Sequence, residues 1–145
     1  MRPATIFCAA RAALGTAYLL FPALAARLAG PRQSARAARG TARILGARHL
    51  TQALTTSGQP DRAVLTLGAE ADATHAASMA ALAIMSRRWR RAALTDALIA
   101  TTLTAAGLAV ARAANTEPAP SGWQGRRNQY AARLAPHLLP PKAAR

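Results

Sequence analysis

Acidic residues are few in this chain: five Asp and Glu stand against nineteen Lys and Arg, a formal net charge of +14. That imbalance excludes an acid-rich binding surface and favours polyanionic surroundings, either nucleic acid or an anionic membrane face. There is a single cysteine, Cys8, which excludes an intramolecular disulfide framework and a Cys-based metal site. Aromatic residues are sparse as well, with two each of Phe, Tyr and Trp, so the large side chains on which a water-soluble core leans are missing. No alternating β-branched run bounded by turn residues is present, which argues against strands. Serine is scarce, and no P-loop, dinucleotide fingerprint, nucleophile elbow or zinc signature occurs.

What the chain has instead is alanine in apolar stretches separated by basic or turn-rich segments. Its 145 residues make one domain. The first apolar stretch, "AALGTAYLLFPALAA" (12–26), lies uncharged between Arg11 and Arg27, with Pro22 expected to kink it or end its strictest part. The second, "TARILGARHLTQALTT" (41–56), is interrupted by Arg43, Arg48 and His49. The third runs from Ala63 to Ser86. The fourth, "AALTDALIATTLTAAGLAVA" (92–111), has Asp96 as its one charge and would rise about 30 Å, the thickness of a bilayer core. The remainder, 114–145, holds five of the nine prolines and reads as a basic, irregular tail with a short helix near 125–135 ended by Pro136. The fold class expected is therefore all-α: a four-helix transmembrane bundle over residues 1–113, with helices near 4–29, 41–57, 63–86 and 91–112.

Mean hydropathy, +0.07, is low for a multi-pass chain, and the second helix alone would not qualify as a span. The charges between helices are more informative. The first connection carries Arg27, Arg32, Arg36, Arg39 and Arg43, the second is the neutral "SGQP" turn, and the third is "RRWRR" (87–91). Such alternation places segments 27–43 and 87–91 in the cytoplasm of a multi-pass cell-membrane protein, with both termini outside. Trp89 among Arg87, Arg88, Arg90 and Arg91 then sits at headgroup level, with the arginines on anionic lipid. The basic tail fits the outer face poorly. The first stretch also has a secretory-signal look, with Arg2 and Arg11 ahead of an apolar run and Ala-Leu-Ala at 23–25.

The densest polar stretch, "GAEADATHAASM" (68–79), places Glu70, Asp72 and His75 inside an alanine helix. If helices two and three form an antiparallel hairpin about the Gln59–Pro60 turn, positions at equal depth sum to about 119. Arg48 then faces position 71 and His49 faces Glu70, about 16 Å from the turn, with Gln52 on the face of Arg48. Arg43 would lie at the depth of His75. Charge at that depth costs several kcal/mol unless it is paired. Glu70 and Asp72 are about 200° apart around the helix, so they cannot serve as a paired-carboxylate site. One meets Arg48; the other points to helix one or four, where Tyr18 and Asp96 stand. Asp96 is expected to answer Arg87, Arg91 or Arg43.

The expected polar cluster is thus Arg43, Arg48, His49, Gln52, Glu70, Asp72 and His75. One reading makes it a register-fixing ion-pair layer, and another a proton or substrate site. Asp-x-x-His (72–75) is half of a carboxylate–histidine metal motif whose other half is missing, so no metal or cofactor is expected. His137 falls in the Pro-rich tail.

On Arg43, Gly46, Arg48, His49 and Gln52, followed by Gly68, Asp72, His75, Ser78 and Met79, the chain resembles a group of small, uncharacterised multi-pass membrane proteins of high-GC Gram-positive bacteria. The resemblance covers the middle half of the chain and implies a membrane location, with no reaction attached.

Three functions remain open: a structural or accessory membrane subunit, a proton- or anion-handling transporter or membrane enzyme, and a soluble, basic helical nucleic-acid binder. Partners follow accordingly: anionic lipid headgroups, a membrane-protein partner or a second copy, with nucleic acid disfavoured.

Overall fold

The computed structural model describes residues 2–28, 35–114 and 121–134. Among these the chain is all-α, with six helices and no strand: α1 (Pro3–Leu20), α2 (Pro22–Leu28), α3 (Ala35–Thr55), α4 (Arg62–Met85), α5 (Arg90–Ala113) and α6 (Gly122–Leu134).

Local chemistry sets most of the boundaries. Pro3 opens α1 at a position where no backbone donor is needed. Phe21 leaves helical geometry (φ −119°, ψ 49°) because it precedes Pro22, which crowds the α conformation and lacks an N–H. The expected kink is therefore a break, and the stretch anticipated as one helix near 4–29 is two. Gly58, with φ of +77°, turns the chain after α3. Asp61 then caps α4 by accepting a hydrogen bond from the Val64 N–H at 2.9 Å. Between α4 and α5, the Arg90 Nε donates to the Ala83 carbonyl at 3.0 Å, satisfying an acceptor in the last turn of α4.

Two expectations need correction. Helix α3 begins at Ala35, so much of the basic segment anticipated as a loop over 27–43 is helix carrying its arginines on the surface. Its alanines at 37, 38 and 42 favour helix, and Gly40 is accommodated within it. The short helix expected in the tail near 125–135 is present as α6, but it begins at Gly122 and docks on α4, with Ala131 packed against Ala63 and Val64 beside Leu67 and Ala132. The anticipated stop at Pro136, and His137, lie outside the described residues.

The interior is made of small and charged side chains. Among the described residues, ten of the thirteen buried apolar ones are alanine; the others are Phe7, Val64 and Leu65. Small residues let helix backbones approach closely. Where α1 crosses α3, a Cβ on Gly15 would stand 2.8 Å from the Gly46 carbonyl oxygen, and one on Gly46 would stand 2.8 Å from that of Gly15. Helices α4 and α5 pack along their lengths, and Gly107 lets Ala69 of α4 and Phe7 of α1 meet α5. The close pairs are thus α1 with α3 and α4 with α5. The anticipated hairpin of α3 on α4 is bridged by long polar side chains rather than by close backbone packing.

Candidate functional site

The densest polar chemistry surrounds Asp72, whose side chain is completely buried. Its Oδ2 accepts a short hydrogen bond from Arg11 Nη2 of α1, itself 1% exposed. Its Oδ1 accepts from Arg48 Nη2 at 3.0 Å and Gln52 Nε2 at 3.3 Å, both from α3. Arg48 Nη2 also donates to the Ala71 carbonyl at 3.0 Å. One carboxylate on α4 therefore gathers groups from two other helices and ties three together. Charge-assisted bonds of this type are about twice as strong as neutral ones.

Two cations meet one anion here, and donor capacity exceeds acceptors. Among the described residues, Nε and Nη1 of Arg11, Nη1 of Arg48, both ring nitrogens of His49 and the Gln52 Oε1 are buried without a hydrogen-bond partner. His49, 1% exposed, stacks on Tyr18 with centroids 6.0 Å apart. Arg11 also lies over the Phe7 ring, 4.8 Å from its centroid.

One turn further along α4, His75 Nε2 lies 2.7 Å from Asp96 Oδ2 on α5. This second pair is less enclosed, with side chains 20% and 12% exposed. Asp96 lines an apolar groove of about 150 Å³ between α1, α3, α4 and α5, reaching Tyr18, Ala42, Met79, Trp89 and Ile99. Among the described residues, no set of three His, Cys, Asp or Glu side chains converges as a metal centre.

The structure brings together Arg48, Gln52 and Asp72, with His49 buried in the same interior, and separates the other anticipated members. Glu70 is on the exposed face of α4 and does not face His49, because the 200° phase difference that turns Asp72 inward turns Glu70 out. Arg43 is exposed and does not form a layer with His75. His75 belongs to a different pair from Asp72, and Asp96 answers His75 rather than an arginine. Arg87, Arg88, Arg90 and Arg91 are exposed, while Trp89 is half-buried at the groove.

Sequence reasoning missed Arg11. The available signal was its position: once α1 starts at Pro3, Arg11 is the one charged residue within that helix and lies near its middle.

A structural cluster lies at the far end of α3. The Arg127 guanidinium of α6 donates to the carbonyls of Thr55 at 2.9 Å, Ser57 at 2.8 Å and Gln59 at 3.0 Å. It lies 5.1 Å from the Trp123 ring centroid. Burial pulls its pKa down, with Asp61 acting in the opposite direction. Nearby, Cys8 Sγ donates to the Thr56 carbonyl at 3.0 Å, tying α1 to the same end.

Comparison with protein-family models, curated proteins and solved structures gives no match to this chain.

Proposed function

We propose that this chain is a small multi-pass membrane protein, a structural or accessory subunit whose helices are held in register by the buried Arg11–Asp72–Arg48 triad. The observation that carries this reading is the inversion of side-chain character. Arg11, His49 and Asp72 are 1%, 1% and 0% exposed, whereas Ile44, Ile84, Met85, Leu98 and Leu20 are 67% or more exposed. Water would leave that apolar surface uncovered; lipid covers it and drives polar groups into the bundle.

Two helices, α1 and α5, are long and apolar enough to cross a membrane. Only 17% and 22% of those spans are buried, unlike the core helix of a water-soluble protein. Helix α3 carries its charges toward the interior or toward the basic end, whereas α4 buries Asp72 and exposes Arg62 at its start and Glu70 further along; both complete the bundle in this reading. Ala38, Thr41 and Ala42 share one groove with Leu82, Trp89 and Ala92, so Arg39, Arg43 and Arg87–Arg91 belong to the same end of the bundle. That end is assigned to the cytoplasm and the termini to the outside. Arg127 of the tail is engaged by carbonyls, which reduces the conflict between a basic tail and the outer face.

A second reading, anion or proton handling at the Asp72 cluster, is favoured by its extra cation and its unpartnered buried donors.

Alkaline extraction of membranes tests the location: the chain remains in the pellet, and release into the supernatant overturns the proposal. Charge substitution tests the role. Asp72→Leu depletes the protein by leaving two guanidiniums without a carboxylate, and adding Arg11→Met restores part of its level, because one cation is then left unpaired instead of two. Normal abundance of the single variants with a lost growth phenotype favours the handling role.

A further inference from the structure

The groove at the basic end has a shape and a charge pattern that go beyond general membrane residence. Along α5 its lining runs from Trp89 to Ile99, about 15 Å at the rise of a helix. Its walls are Ala38, Ala42 and Leu45 on one side and Met79 and Leu82 on the other. A volume of about 150 Å³ accepts a benzene-sized apolar group.

Polarity is confined to the two ends. Deep in the groove, Asp96 shows 12% of its side chain and is held by His75. At the rim, Trp89 lies beside the exposed Arg87, Arg88 and Arg91, whereas Arg39 and Arg43, two positions either side of Thr41, turn to another face of α3. The Asp96 carboxylate disfavours an anionic group at the floor, and the arginines favour one at the rim. An amphiphile is thereby oriented with its tail inward and its negative head outward.

Resting on the membrane reading above, we propose that this groove binds one anionic phospholipid, with part of an acyl chain against Leu45, Met79 and Ile99 and its phosphate among Arg87, Arg88 and Arg91. The Arg-rich turn is then a selective lipid site as well as a topology signal.

The test uses the full chain, purified in detergent, offered equal phosphatidylglycerol and phosphatidylcholine and examined by native mass spectrometry. Expected is one phosphatidylglycerol per chain, retained at least tenfold over phosphatidylcholine. Thr95→Trp fills the groove from an exposed lining position and lowers that retention at least fivefold. Combined Arg87→Gln, Arg88→Gln and Arg91→Gln brings phosphatidylglycerol down to the phosphatidylcholine level, each arginine near the surface contributing roughly fivefold. Equal retention of the two lipids by the unmodified chain overturns the proposal. So does unchanged selectivity in the triple-arginine variant, or a lipid-free dimer in which a second copy covers the groove. Alkaline extraction of the membranes from which the chain is purified keeps the two readings apart: a pelleted chain without lipid selectivity overturns only the lipid site. Release into the supernatant overturns the membrane reading itself.

Discussion

Asp72 and Asp96 are both buried carboxylates facing a neighbouring helix, yet their surroundings differ in charge balance and access. Asp72 is fully enclosed and answered by two arginines and a glutamine from α1 and α3. Asp96 is partly open to an apolar groove and answered by one histidine from α4. The first links the α1–α3 pair to the α4–α5 pair. The second joins two helices that already pack along their lengths. Enclosure and the number of helices gathered, rather than the presence of an acid, determine how much structure depends on each carboxylate.

The comparison is broken most severely at Asp72. Asp72→Asn leaves two guanidiniums facing a neutral amide, and loss of a buried partner costs about 3–5 kcal/mol. The variant should melt well below the unmodified protein in detergent, and an unchanged melting profile would remove the triad from the stability argument. Arg11→Met should be less damaging, since Asp72 keeps Arg48 and Gln52 on Oδ1 and only Oδ2 loses its donor. A double-mutant cycle with Asp72→Leu should recover at least half of the loss.

Next in size is the crossing beneath the cluster. Gly46→Leu forces a side chain against the Gly15 carbonyl and Leu19, and overpacking of this kind costs about 1–3 kcal/mol. It should weaken the Asp72 site by displacing α3 while leaving the His75–Asp96 pair intact, as seen by site-specific spectroscopy at the two histidines. Arg127→Ala, at the opposite end from the groove, should cost about 1–2 kcal/mol by leaving the carbonyls of Thr55, Ser57 and Gln59 without this donor. Its effect should appear as protease sensitivity of α6 without change at either carboxylate.

The smallest effect is expected at the second carboxylate. Asp96→Asn keeps an acceptor for His75, so the loss is at most that of one hydrogen bond, about 0.5–1.5 kcal/mol. A loss comparable to that of Asp72→Asn, measured in the same melting experiment, would erase the distinction between the sites.

The depth relation of α3 and α4 was legible because helical rise is constant. Arg48 was expected opposite position 71, and it bonds the Ala71 carbonyl and Asp72. The inequivalence of Glu70 and Asp72 was legible too, since two residues two apart cannot share a helix face. Which of them turned inward was not legible, because that depends on the rotation of α4 about its own axis, set by packing against α5. Likewise Pro22 marked a discontinuity in advance, whereas the early start of α3 and the docking of α6 depended on contacts distant in sequence.

Sequence alone determined the helical class, the breaks at proline and the positive-φ glycine, the basic segments and the depth of the polar layer. All of these follow from local backbone chemistry and the regular rise of a helix. Only the tertiary structure decided that Arg11 completes the layer, that His75 turns to Asp96, and that α1 lies on α3 through Gly15 and Gly46. Those outcomes turn on helix rotation and partner choice, which many small side chains permit in several ways and which packing of the whole bundle resolves.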